Sequence, residues 1–253
     1  MNPGERPENG TAEKAMPILE HIRELRNIVL VSVAAYAAAC VVAFVFSKQI
    51  IGLFTNPFLA VESAVEKTLV VSSIAEGFIA QLKMTVIAGF ILSLPVHIFG
   101  LVKFVFPGLT RRERTIVLSF LIFSFILIVL GSYLAYFKIV PLAVGFLTNP
   151  YFVPKTVGFL LNYQTNIFYI MSFILWTVLA LQAPLLMEIL LVLNVLKRRQ
   201  VLRASRFIVV GIFVLSAIIT PPDFVSQLGV ALPLLFFYFL ALLVAKIFKF
   251  GEG

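Results

Sequence analysis

Acidic side chains are scarce in this chain, so the places where they stand carry weight. Glu20 and Glu24 lie in "EHIRELRN", Glu113 stands alone among Arg111, Arg112 and Arg114 in "PGLTRRERT", and Glu188 sits inside an apolar run. Asp223, the only aspartate, follows two prolines in "ITPPDFVSQ". Two carboxylates at a water-facing rim can take two guanidinium groups, because arginine's planar fork meets a carboxylate bidentately and lysine's ammonium does not. Glu24 and Glu113 are the candidate pair if the first and third crossings are neighbours, with the surrounding arginines repelling cations of the wrong geometry. Charge-assisted hydrogen bonds supply about 1.5–3 kcal/mol each. Micromolar binding needs about 8 kcal/mol, so an apolar ligand segment has to add the rest. Each acid also has a purely structural reading. Glu113 in the first turn of a helix complements its dipole and pairs with neighbouring arginines. Glu24 pairs with Arg23 or a residue one turn away, and Asp223 caps the helix that follows it.

Other chemistry is sparse. The sequence has no H-E-x-x-H, no G-x-S-x-G, no phosphate-binding glycine loop and no dinucleotide turn. His21 and His97 stand in separate segments, and His97 reads as a packed or hydrogen-bonded residue. Cys40 has no partner for a disulfide or a thiolate metal site. The expectation is a protein without catalytic residues, metal or cofactor.

The elements that must position these acids are membrane helices. Of 253 residues, 61% are hydrophobic and 13% charged, with a mean hydropathy of +1.05, far outside the range of water-soluble domains. Crossing a hydrocarbon core takes about 20 apolar residues. Six runs qualify or nearly so: 28–47, 79–104, 115–137, 166–196, 207–219 and 224–244. The fifth, at thirteen residues, is only about 20 Å of helix. It thins the bilayer or forms half of a re-entrant hairpin with the sixth; six crossings, the last two a short pair, is the favoured reading.

Charge orients the bundle. Arg6, Lys14, Arg23 and Arg26 precede the first run; Lys103 and Arg111, Arg112 and Arg114 follow the second. Lys197, Arg198, Arg199, Arg203 and Arg206 follow the fourth, and Lys246 and Lys249 end the chain. The alternate connections carry only Lys48, Lys67, Lys138 and Lys155, so the positive-inside rule puts both termini in the cytoplasm. The net charge of +8 is accounted for by these helix ends, and no nucleic-acid partner is expected.

Residues 1–15 read as a flexible cytoplasmic terminus, 16–246 as one membrane domain and 247–253 as a cytoplasmic tail. From Pro17 the positions Ile18, Ile22, Leu25 and Val29 form an apolar stripe, an amphipathic helix running into the first crossing. The outer segments 48–78 and 138–164 are too long and too apolar for simple turns and are expected to lie in the interface or cap the bundle. Pro95, Pro184 and Pro233 free the carbonyls of Ile91, Ala180 and Gly229, and helices bent there can form a concave bundle.

These stretches resemble the TatC family, the multi-spanning receptor component of the twin-arginine protein translocase. The resemblance is carried by "EHIRELRNIVL", "LSLPVHIF", "FVFPGLTRRERT", "LAYFKIVPLAVGFL" and "ITPPDFVSQ", in consistent order over residues 17 to about 245. It implies an all-α polytopic membrane protein of six transmembrane helices in a concave, glove-like bundle with both termini cytoplasmic, in a bacterial inner membrane. It also implies recognition of the paired arginines of signal peptides on folded cargo by Glu24 and Glu113, with Leu25 and Arg26 in the same motif and Phe104 beside it. Single-span subunits of the TatA and TatB type, self-association and the lipid bilayer are the implied partners. Pro57, Phe78, Pro95, Tyr136 and Asp223 are similar to structural positions of the family.

One position departs. Where the family often has a membrane-embedded glutamate before the fourth-helix proline, this chain has Gln182 in "LQAPLL", which can hydrogen-bond a partner helix but cannot titrate. Glu188, six residues on, faces elsewhere and is a poor replacement, read as a snorkelling or paired acid near the cytoplasmic end. A rival function, a secondary transporter of a small solute, predicts several midplane polar groups and a repeated half. The candidates are Gln182, Lys83, Ser93 and His97, and no convincing repeat is present. A structural assembly protein that binds partners through lipid-facing surfaces is a third reading.

Overall fold

The computed structural model describes residues 18–60, 67–105, 109–149, 151, 159–220 and 223–252. The stretch 1–15, read as flexible, lies outside them, as do the side chains of Glu20, His21, Pro57, Arg111 and Arg112. In chain order the elements are α1 (Ile18–Val45), α2 (Ser47–Ala60), β1 (Lys67–Val70), α3 (Glu76–Val105) and α4 (Arg111–Leu134). A π-helical turn (Ala135–Ile139) follows, then α5 (Val140–Leu147), β2 (Phe159–Asn162), α6 (Tyr163–Val192), α7 (Arg198–Ile219) and α8 (Phe224–Ile247). Among the described residues six stretches are long and apolar enough to cross a membrane: Ile22–Val45, Glu76–Phe104, Glu113–Leu147, Tyr163–Val192, Arg198–Ile219 and Phe224–Ile247. The fold is a six-helix polytopic membrane bundle.

Two helices differ from the hydropathy reading. α7 opens at Arg198, so it has 22 residues where the apolar run has thirteen. That is about 33 Å of helix, because long arginine stems keep a helix going past the point where mean hydropathy falls. The third span does not stop at residue 137. The Val140 amide donates to the carbonyl of Ala135, five residues back, and α5 continues the helix to Leu147 with Val140, Ala143 and Val144 buried.

α6 is the centre. It packs against α3, α4 and α8, and Ile170, Met171, Val178 and Leu181 are at most 1% exposed. α1 lies along α3 as an antiparallel flank whose other faces expose Val29, Leu30, Val33 and Val41, a surface suited to hydrocarbon. Gly89 and Gly100 of α3, with Ser93 and Val96 between them, mark one face at spacings of four, three and four. A Cβ on Gly89 would stand 2.6 Å from the Cys40 sulfur, and one on Gly100 would stand 2.8 Å from Ile28, so the two helices approach through missing side chains. Tyr36 closes the same seam by donating to the Val86 carbonyl at 3.3 Å.

The described parts of the outer segments pack at one end of the bundle. Phe54 of α2 enters the main core, and the Tyr136 hydroxyl donates to the Leu53 carbonyl at 2.6 Å. β1 and β2 form a parallel pair, Lys67 opposite Phe159 through Val70 opposite Asn162, a short piece of sheet beside the helices. Beside it stands Glu76, 5% exposed. Its Oε2 accepts the backbone amides of Ser72 and Ser73, its Oε1 accepts that of Gln164 at 3.3 Å, and Asn162 reaches the Ser72 hydroxyl at 2.9 Å. One carboxylate thus ties the start of α3 to the start of α6, at two helix N-termini that both favour negative charge.

Replacing Glu76 by Gln puts an NH₂ against backbone N–H groups. The expected cost is about 1–3 kcal/mol, that of a buried donor left unpaired. It is read as a lower thermal midpoint in detergent and faster proteolysis of the segment joining α2 to α3.

Candidate functional site

Glu24 lies in the second turn of α1, half-buried, in a cavity of about 170 Å³ whose other walls include Asn27, Ile28, Phe99, Gly100 and Lys103. Antiparallel packing brings it level with the last turn of α3. Leu25, 44% exposed, and Arg26 point outward from the same turn, and an Arg26 guanidinium nitrogen approaches the Asn27 side-chain oxygen at 3.4 Å. Phe104, half-buried, stands at the end of α3 next to Lys103.

Glu113 is at the third position of α4. The short connection from Val105 to Arg111 puts it at the same end of the bundle as Glu24. Its Oε2 accepts both the Thr110 amide and the Thr110 hydroxyl at 2.8 Å, while the Thr110 oxygen accepts the Glu113 amide at 3.4 Å. This reciprocal capping box satisfies two donors that the start of a helix leaves over. A carboxylate has about four acceptor sites, so the box does not exhaust it.

The premise that the first and third crossings are neighbours does not hold. α1 packs along α3, and α3 contacts α4, with no extensive α1–α4 packing among the described residues. The reason is the glycine-faced seam, which draws α1 onto α3. The two acids nonetheless share an end of the bundle.

Deeper in the bundle, Gln182 is 5% exposed, and its oxygen accepts the Ser124 hydroxyl of α4 at 2.7 Å. The His97 Nε2 is 3.0 Å from the Ser93 hydroxyl, with the ring packed beside Phe90 and Tyr36. Glu188 departs from the snorkelling or paired reading. It is 2% exposed, and neither carboxyl oxygen has a hydrogen-bond partner among the described residues. Its position one turn after Pro184 aims it between α4 and α8, not toward the end of the helix.

The remaining positions are scattered. Pro57 lies within α2, Pro95 lies within α3, and Phe78 is exposed in the first turns of α3. Tyr136 sits in the π turn, edge-on to Phe54 at 5.9 Å. Asp223 is the N-cap of α8, its Oδ1 accepting the Ser226 amide at 2.7 Å. Among the described residues no group of three His, Cys, Asp or Glu side chains could hold a metal. Glu76 went unremarked in the sequence, although "SSIAE" and "TRRE" carry the same S/T-x-x-E signature of a capped helix start.

The six-span bundle defines a multi-pass membrane protein. Residues 20–233 match the family described as Sec-independent protein translocase protein (TatC). Among curated relatives, the TatC proteins of Carboxydothermus hydrogenoformans and Aquifex aeolicus are each 29% identical, covering 94% and 92% of this chain and 96% and 95% of their own. That of Campylobacter jejuni is 31% identical over 89% of this chain and 92% of its own length. A crystal structure of the twin-arginine translocase receptor TatC superposes with a TM-score of 0.78 at 28% identity, over 88% of this chain and 98% of that one. The chain belongs to the TatC family of protein translocase components.

In a double-mutant cycle of Ser124→Ala and Gln182→Leu, we expect a coupling of about 0.6 kcal/mol and at most about 1.7, the range for hydrogen bonds between membrane helices. Unfolding in mixed detergent measures it.

Proposed function

We propose that this chain is the receptor and core subunit of a protein translocase, binding twin-arginine signal peptides of folded cargo at the cytoplasmic face of the bacterial inner membrane. What supports the reading is that Glu24, beside the last turn of α3, and Glu113, in the first turn of α4, lie at one end of the bundle. That end also bears Lys103, Arg114, Lys197, Arg198 and Arg199, the basic side that the positive-inside rule assigns to the cytoplasm, together with the start of α1 and the end of α8.

In this reading the two arginines of the leader straddle the end of α3, one guanidinium meeting each carboxylate in planar register. Leu25 and Phe104 offer apolar contact beside them, and the greasy segment behind the arginines runs down the hydrocarbon-facing flank of α1 and α3. Two charge-assisted contacts fall short of micromolar affinity, so this apolar segment supplies the remainder. Arg26 and Arg114 discriminate against cations that cannot form the planar contact. Small single-span subunits of the TatA and TatB type, and further copies of this chain, complete the translocase, using lipid-facing helices such as α7; Gln182, buried and held by Ser124, is not available to them.

Charge reversal tests it. Glu24→Arg or Glu113→Arg should lower crosslinking to a twin-arginine peptide roughly tenfold or more, from about 1.5–3 kcal/mol per contact. A peptide carrying acids in place of its arginines should recover part of it. Thr110→Ala opens the capping box and leaves the carboxylate, so it separates helix damage from lost recognition: peptide binding should survive it. Undiminished crosslinking in both reversals, in correctly inserted protein, would sink the proposal.

A further inference from the structure

The peptide reading makes no use of Glu188. A carboxyl group 2% exposed, with neither oxygen partnered among the described residues, is costly unless something else meets it. It lines a cavity of about 350 Å³ whose walls run between Ser119 and Leu127 of α4, Pro184 and Glu188 of α6, and Phe237 and Val244 of α8.

The shape of this cavity selects its occupant. Ser119 to Leu127 is about 12 Å of helix, so the slot is long and runs with the bundle. The slot is long, apolar and open to the side, a shape that takes a hydrocarbon chain lying along it. Its mouth opens sideways: Ser119 and Phe123 are exposed on the hydrocarbon-facing side, and Phe123 meets Phe237 edge-on at 6.4 Å across it. Its depth suits one leaflet, since Glu188 is four residues before the end of α6 and Val244 is three before the end of α8, at the basic end of the bundle.

We propose that the slot between α4, α6 and α8 is a lipid site, taking one acyl chain of a membrane phospholipid whose primary-ammonium headgroup donates to Glu188. The walls supply apolar contact along the chain, and Glu188, whose two oxygens are buried without a partner among the described residues, supplies the acceptors. A primary ammonium brings three N–H donors and the complementary charge. A quaternary ammonium brings the charge without a donor and leaves the oxygens unmet. The site is independent of the Glu24 and Glu113 rim.

The test is native mass spectrometry of the full-length chain, extracted from nanodiscs with equal amounts of phosphatidylethanolamine and phosphatidylcholine. Wild type should retain the ethanolamine lipid in about tenfold preference, equivalent to about 1.4 kcal/mol. Glu188→Leu should retain both equally, and Glu188→Gln, which keeps the shape and one acceptor, should fall between them. Ala241→Trp, which fills the slot without touching the acid, should retain neither, and Leu186→Ala, on the exposed face of α6, should behave as wild type. Equal retention of the two lipids by wild type, the same preference in Glu188→Leu, or bound lipid undiminished in Ala241→Trp would overturn the assignment. So would a photocrosslinker at position 241 that captures a protein helix and no lipid.

Discussion

Hydrocarbon offers no hydrogen-bond partner, and the arrangement of this bundle follows from that constraint. Gln182 meets Ser124, Ser93 meets His97, and Tyr136 takes the carbonyl of Leu53. Glu76 bears the heaviest duty. With backbone amides from both sides of the outer cap converging on it, the two long connections are held to one another as well as to their own helices. The peripheral helices α1 and α7 can then remain largely uncovered, because the scaffold of α3, α4, α6 and α8 is closed without them.

Much of this was legible in the chain because hydrophobic length is a property of composition. The six spans and their order follow from run lengths alone, and the five quoted stretches pointed to the family that the comparisons show. Helix ends were less legible. Arg198 to Arg206 scores as polar, yet stems of that length lie along a helix inside the interface, so α7 begins nine residues before its apolar run. The β1–β2 pair joins residues about ninety positions apart in parallel register, and no local pattern encodes which distant strand is the partner.

The acids divide along the same line. That Glu113 opens a helix is local chemistry, and Thr110 three residues before it shows why. That α1, with Glu24, lies along α3 is not local. It depends on Gly89 and Gly100 admitting α1, a matter of fit between surfaces rather than of hydropathy. Glu188 lay between these cases. Its angular separation from Gln182 was countable in the sequence, but whether it reached water depended on α8, whose packing against α6 is tertiary.

The wide turn at Ala135–Ile139 behaves as an insertion that the helix has absorbed instead of looping out. One extra residue rotates everything after it by about 100°. The continuation through Val140, Ala143 and Val144 therefore meets the core along a different azimuth from that of α4. A single rod can in this way serve two layers, lipid-flanked wall below and lid above, without spending a turn of chain on the corner. Lineages that lost that residue would need to re-aim the lid by other means, so length variation in this family should be tolerated least at this one joint.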